Sequence, residues 1–146
     1  MGETSSSLYR DVILHHSRNP RNNHPVEPAD FRGRAHNPLC GDELELTVIL
    51  QDSRVSQIGV QVRGCAIAEA AASMMSEVLI GHSLEESGAL GELFQKFLKG
   101  ESDVLPPELA PLQPLEAIRN NTSRRTCAIL GWMALESGVR TPPADK

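Results

Sequence analysis

Between Leu44 and Val62 the apolar residues fall on alternate positions: Leu44, Leu46, Val48 and Leu50, then, after a break at Asp52 and Ser53, Ile58, Val60 and Val62. Successive side chains of a strand point to opposite faces, so this pattern predicts an antiparallel hairpin with one apolar face. The segments around it read as helices. The fold class expected is therefore α+β, a small antiparallel sheet packed by several helices.

The first helix is expected over Ser5–Ser17, where a serine cluster can cap it, Leu8, Val12 and Ile13 have helical spacing, and Asn19-Pro20-Arg21-Asn22 stops it. A second starts at or near Cys65 and runs through the alanines to Met74 and Met75, ending near Gly81. Ser83 followed by Glu86 fits a capping box for a third, which ends near Gly100 despite Gly88 and Gly91. Pro106, Pro107, Pro111 and Pro114 forbid one regular helix, so that stretch reads as an ordered crossing loop. A last amphipathic helix spans Ser123–Ser137 and carries Cys127 and Trp132. The tail from Thr141 to Lys146 is expected to be disordered.

A chain of 146 residues is long enough to bury about 70% of its extended surface as one unit, so residues 1–146 are expected to form a single domain. No run approaches the roughly 20 apolar residues that cross a bilayer, so no membrane role is expected. Met1–Ser7 is small and polar, without the basic or apolar block of a targeting segment, and a cytoplasmic location is the expectation. With a net charge of −5 and only Tyr9, Phe31, Phe94, Phe97 and Trp132 as aromatic faces, the chain lacks the basic stripe of a nucleic-acid binder. Three cysteines cannot all pair with one another, and a reducing compartment disfavours disulfides. Metal or thiol chemistry then competes with plain burial.

Cys40 and Asp42 flank Gly41 in the shaped turn Asn37-Pro38-Leu39-Cys40-Gly41-Asp42. Cys40 precedes the hairpin and Cys65 follows it, and the two ends of an antiparallel hairpin meet. Cys65 also lies at a helix N-terminus, where free N–H groups favour a thiolate. Three thiolates and a carboxylate suit tetrahedral zinc in number and type, yet the paired Cys-x-x-Cys knuckles of an obvious zinc site are missing. On spacing alone, Cys65 and Cys127 read better as small core residues than as metal ligands.

A resemblance resolves the choice. Asn37-Pro38-x-Cys40-Gly41-Asp42, Gly64-Cys65-Ala66-Ile67 with the alanine, serine and methionine helix after it, and Cys127-Ala128-x-Leu130-x-Trp132-x-Ala134-Leu135 resemble the three cysteine motifs of the IscU-like iron–sulfur assembly proteins. Leu8-Tyr9-Arg10 and Asn19-Pro20-Arg21-Asn22 resemble that family too, and the likeness runs in order from Leu8 to about Gly138. The long interval from Cys65 to Cys127 and Thr126, which stands where the scaffold IscU type has a histidine, look like the SufU type.

The resemblance implies a SufU/IscU-like fold and a zinc ion held by Cys40, Asp42, Cys65 and Cys127. It implies sulfur transfer from a pyridoxal-phosphate cysteine desulfurase of the SufS type to Cys40, as a zinc-dependent sulfurtransferase that passes sulfur on to a downstream iron–sulfur scaffold. Arg124 matches a basic family position near the site, whereas Arg119-Asn120-Asn121-Thr122-Ser123 lacks the proline usual there. Two alternatives stand beside this reading: a scaffold that assembles a 2Fe–2S cluster, and a zinc-stabilised adaptor without sulfur chemistry. Histidines play no part in the expected site. His15 and His16, adjacent on a helix, cannot form the i,i+4 pair of a helical metal site and read as surface residues, His24 and His82 fall in turns, and His36 could only approach.

Overall fold

The alternating segment forms the expected hairpin. In the computed structural model, which describes residues 2–38 and 41–140, β2 (Asp42–Gln51) and β3 (Arg54–Arg63) run antiparallel. Leu44 lies opposite Val62, Leu46 opposite Val60 and Val48 opposite Ile58. Leu44, Leu46, Val48, Ile58 and Val60 are all buried on the resulting face. Asp52 and Ser53 turn the chain with φ values of 55° and 66°, the paired positive angles of a two-residue type I′ turn.

A further strand, β1 (Phe31–Asn37), pairs antiparallel with β2, so the sheet has the order β1-β2-β3. It is absent from the sequence expectation because its covered face, Phe31, Gly33 and Ala35, is poor in large apolar residues. The cause is the closeness of the last helix: a Cβ on Gly33 would overlap the Ala134 carbonyl oxygen. Small residues are needed where a helix backbone lies against a strand. Gly33→Ala is expected to cost about 1–3 kcal/mol, the usual range for overpacking, read as a lower denaturant midpoint at unchanged slope.

Helix α1 (Gly2–Arg18) is longer than the Ser5–Ser17 expected. Of its three spaced apolar residues only Ile13 is buried, while Leu8 is 58% and Val12 37% exposed. The interior contact of α1 is instead partly polar, directed at α2 (Ala66–Leu79). His16 Nδ1 lies 2.7 Å from the hydroxyl of the fully buried Ser73, which also accepts the Arg21 N–H at 2.8 Å. The Ser73 hydroxyl can accept twice and donate once, so with Arg21 donating to it the direction of its bond with His16 follows the imidazole tautomer.

His16 is thus half-buried rather than a surface residue. Burial pushes its pKa down, with Arg21 and His15 adding to the effect and Glu77 opposing it. The unfolded chain therefore takes up a proton at a higher pH than the folded one. Stability from His16 is present above about pH 6.5 and is lost as pH falls below it. His16→Gln is expected to flatten that part of the stability–pH curve, and an equally steep fall in the variant would assign the loss to other groups.

Helix α3 (Leu84–Leu98) begins with the expected capping box: Ser83 Oγ accepts the Glu86 N–H at 3.0 Å and Glu86 Oε1 accepts the Ser83 N–H at 3.1 Å. Gly91 is required by packing, since a Cβ there would stand 2.8 Å from the buried Trp132 ring. The proline-rich stretch departs from the loop expected. Pro107–Ile118 is a 3-10 helix that buries Leu109, Leu112 and Leu115 completely. Prolines at 111 and 114 remove donors an α-helix needs, but a three-residue turn still lines up every third side chain.

The last expected helix is two helices, α4 (Thr122–Ala128) and α5 (Leu130–Arg140), broken at Ile129 with φ −98° and ψ 5°. The apolar spacing runs on across the break, so nothing in the pattern marks it. Asn121 caps α4 in place of the missing proline, its side chain accepting the Arg124 N–H at 3.2 Å. The buried face of the sheet packs against α5 along β1 and β2 and against α2 along β3, and one continuous apolar cluster links them to α3 and the 3-10 helix. Thr141–Lys146, expected to be disordered, lie outside the described residues. Among those described, no helix is long and apolar enough to cross a membrane.

Candidate metal centre

Three parts of the chain converge at the end of the sheet where α2 begins. Asp42 opens β2 opposite Asn37, the last residue of β1, and both side chains are buried. The connection between them closes on Gly41, whose N–H donates to the Asn37 carbonyl at 2.8 Å and whose φ of 78° suits glycine. Leu39 and Cys40, within that connection, lie outside the described residues.

Cys65 comes from the other end of the hairpin. Arg63 closes β3 opposite Glu43, Gly64 follows, and Cys65 then acts as the N-cap of α2 with its Sγ accepting the Ala68 N–H at 3.4 Å. The Asp42 carboxylate bridges the two strand ends: Oδ1 accepts the Cys65 N–H at 3.1 Å and Oδ2 accepts the Cys65 thiol at 3.4 Å. One otherwise free amide of the helix terminus is satisfied by an acidic group, the charge the terminus favours. Cys127, in the last turn of α4, is buried and reaches the same point because α4 packs on α2.

The donor atoms of Asp42, Cys65 and Cys127 lie within 4.8 Å of one another. In a tetrahedral zinc site with bonds of about 2.0–2.3 Å, donors stand about 3.5–3.8 Å apart, so inward movements of about 1 Å would close the set on one ion. Two thiolates and one carboxylate match zinc and disagree with magnesium or calcium, which take oxygen ligands. The chemistry of this donor set therefore fits zinc. The same thiolates are compatible with an iron–sulfur cluster, which is also held by cysteines.

The other residues singled out by sequence lie further out. Arg124 is exposed on the first turn of α4, one turn before Cys127. Thr126 is half-buried and directs its hydroxyl at the Thr122 carbonyl, 3.5 Å away, so the position before Cys127 brings no metal-binding nitrogen. His36 is exposed on the sheet face opposite to that of Asn37 and Asp42. Met74 and Met75 are core residues, each 1% exposed. Gly64 stands in the second cysteine motif, and its position against Asp42 emerges only from the fold.

A three-stranded sheet backed by helices gathers two cysteines and an aspartate at one end, a donor set of a kind that could hold a metal ion. The chain belongs to the NifU-like N-terminal domain family, whose pattern it matches over residues 8–144, and so to the IscU/SufU proteins of iron–sulfur cluster assembly. It is 32% identical over 133 residues to the zinc-dependent sulfurtransferase SufU of Bacillus subtilis strain 168, covering 91% of this chain and 90% of that protein. It is 30% identical over 133 residues to the iron–sulfur cluster assembly scaffold protein IscU of Streptococcus pyogenes serotype M1, covering 91% of this chain and 83% of that one. The fold is also that of the N-terminal part of a NifU-like protein from Brucella abortus, with a TM-score of 0.82 at 23% identity over 90% of this chain and 92% of the other.

Proposed function

We propose that this chain is a SufU-type, zinc-dependent sulfur acceptor that takes sulfur from a SufS-type cysteine desulfurase and passes it to a downstream iron–sulfur scaffold, the whole of residues 1–146 acting as one domain in the cytoplasm. The observation that carries the reading is the convergence of Asp42, Cys65 and Cys127 on one point, from a strand start, a helix start and a helix end. Cys40 is the fourth ligand in this reading, and Arg124 a basic residue beside the site. Bound zinc would keep its thiolate ligands deprotonated at neutral pH.

Cys40 is the sulfur acceptor. Cys65 is held as an N-cap between the Ala68 N–H and the Asp42 carboxylate, and Cys127 is only 2% exposed, so neither is suited to meet a second protein. The Cys40 thiolate attacks the outer sulfur of the desulfurase persulfide. The bond between the two persulfide sulfurs breaks, the desulfurase cysteine leaves as a thiolate, and Cys40 carries the persulfide. Support for transfer over scaffolding comes from Thr126, which brings no imidazole beside Cys127, and from the Bacillus subtilis relative's name. The scaffold reading is supported by the Streptococcus pyogenes relative's name. Turnover of a cysteine desulfurase, measured with and without this protein, tests the proposal: a clear rise is expected, and an unchanged rate would end it.

A further inference from the structure

We infer that Gly64 is a positioning residue for the Asp42 carboxylate, which it holds in the donor cluster by offering bare backbone for the carboxylate to lie against. The φ of Gly64 is not positive, so its requirement is for space rather than for a special backbone conformation. A Cβ at Gly64 would overlap Asp42 Oδ1 and stand 2.6 Å from Asp42 Cγ and 2.9 Å from Asp42 Cβ, and these are its three nearest neighbours. The three nearest atoms therefore all belong to the one side chain that bridges the two strand ends.

Asp42 cannot yield by a small rotation. It is 2% exposed, and Oδ1, the oxygen most crowded by a new Cβ, is also the one that accepts the Cys65 N–H at 3.1 Å. Displacing Oδ1 breaks that hydrogen bond and swings Oδ2 away from Cys65 Sγ, now 3.4 Å distant. A single methyl group at position 64 would thus separate the carboxylate from the thiols while leaving Cys65 and Cys127 on their helices. The inference rests on the zinc reading for the ligand role of Asp42, but the placement of the carboxylate can be tested without metal.

In metal-free protein, the Cys65 amide of Gly64→Ala is expected to exchange its hydrogen at least about tenfold faster than wild type, after correction for the intrinsic rate, as in Asp42→Ala. The double variant should exchange no faster than Asp42→Ala alone, because both act through one carboxylate. With cobalt(II) as the probe, Gly64→Ala should bind about 10–100-fold more weakly and show the visible absorption of Asp42→Ala rather than of wild type. Wild-type exchange at Cys65 in Gly64→Ala, additive effects in the double variant, or a wild-type cobalt spectrum and affinity in Gly64→Ala would each overturn the inference. If Gly64→Ala does not fold, folding of the double variant supports the clash with Asp42, and its failure to fold overturns it. Wild-type protein that binds no cobalt would sink the zinc reading, while the exchange rates still decide the placement by Gly64.

Discussion

Protein purified without added iron is expected to be colourless and to carry close to one zinc per chain, and stripping that zinc should abolish its stimulation of the desulfurase until zinc is restored. The expectation follows from a donor set that Cys40 would complete to three thiolates and one carboxylate, a full shell for a single tetrahedral ion. Zinc removal should also lower the melting temperature markedly. The site ties a strand start, a helix start and the end of α4 together, and a ligand that binds only the folded state adds RT ln(1 + [L]/Kd) to stability. Brown protein with stoichiometric iron and acid-labile sulfide, able to pass a cluster to an apo-ferredoxin, would replace the zinc reading with the scaffold one. A melting curve unchanged by demetallation would leave the site without a structural role.

Cys40→Ala should remove desulfurase stimulation altogether, since in the proposed transfer Cys40 alone accepts the sulfur. After reaction of wild-type protein with the persulfidated desulfurase, mass spectrometry should find the added sulfur on the peptide containing Cys40. Consistent labelling of Cys65 or Cys127 instead would refute the assignment. The contrast is a physical one: Cys65 Sγ already accepts a helix amide at 3.4 Å and Cys127 is buried in the core, so sulfur added to either would have to displace packed neighbours.

The hairpin was legible because its signal is local and periodic: Leu44, Leu46, Val48, Ile58, Val60 and Val62 announce one buried face without reference to anything distant. The cap at Ser83 was legible for a similar reason, since it acts on an amide within its own next turn, and so was the helix start near Cys65, though not the capping role of Cys65 itself. Strand β1 was not, because its apolar content was traded for closeness to α5, and Gly33 records a neighbour a hundred positions away in the chain. The 3-10 helix was masked by its prolines, although Leu109, Leu112 and Leu115 already stood three apart.

For the site, the sequence offered candidate donors: the motifs around Cys40, Asp42, Cys65 and Cys127, read through their family resemblance, name atoms of the kind that hold a soft-to-borderline metal, and the hairpin between them brings Asp42 to Cys65 by strand pairing alone. What only the tertiary structure decided is how Cys127 reaches them and what holds Asp42 in place. Cys127 arrives through the packing of α4 on α2, a contact between surfaces whose match depends on the shapes of many side chains and not on any spacing in the sequence. Asp42 stays because Gly64 leaves it room and the Cys65 amide holds it, an arrangement of three residues from two strand ends that exists only once the sheet has closed.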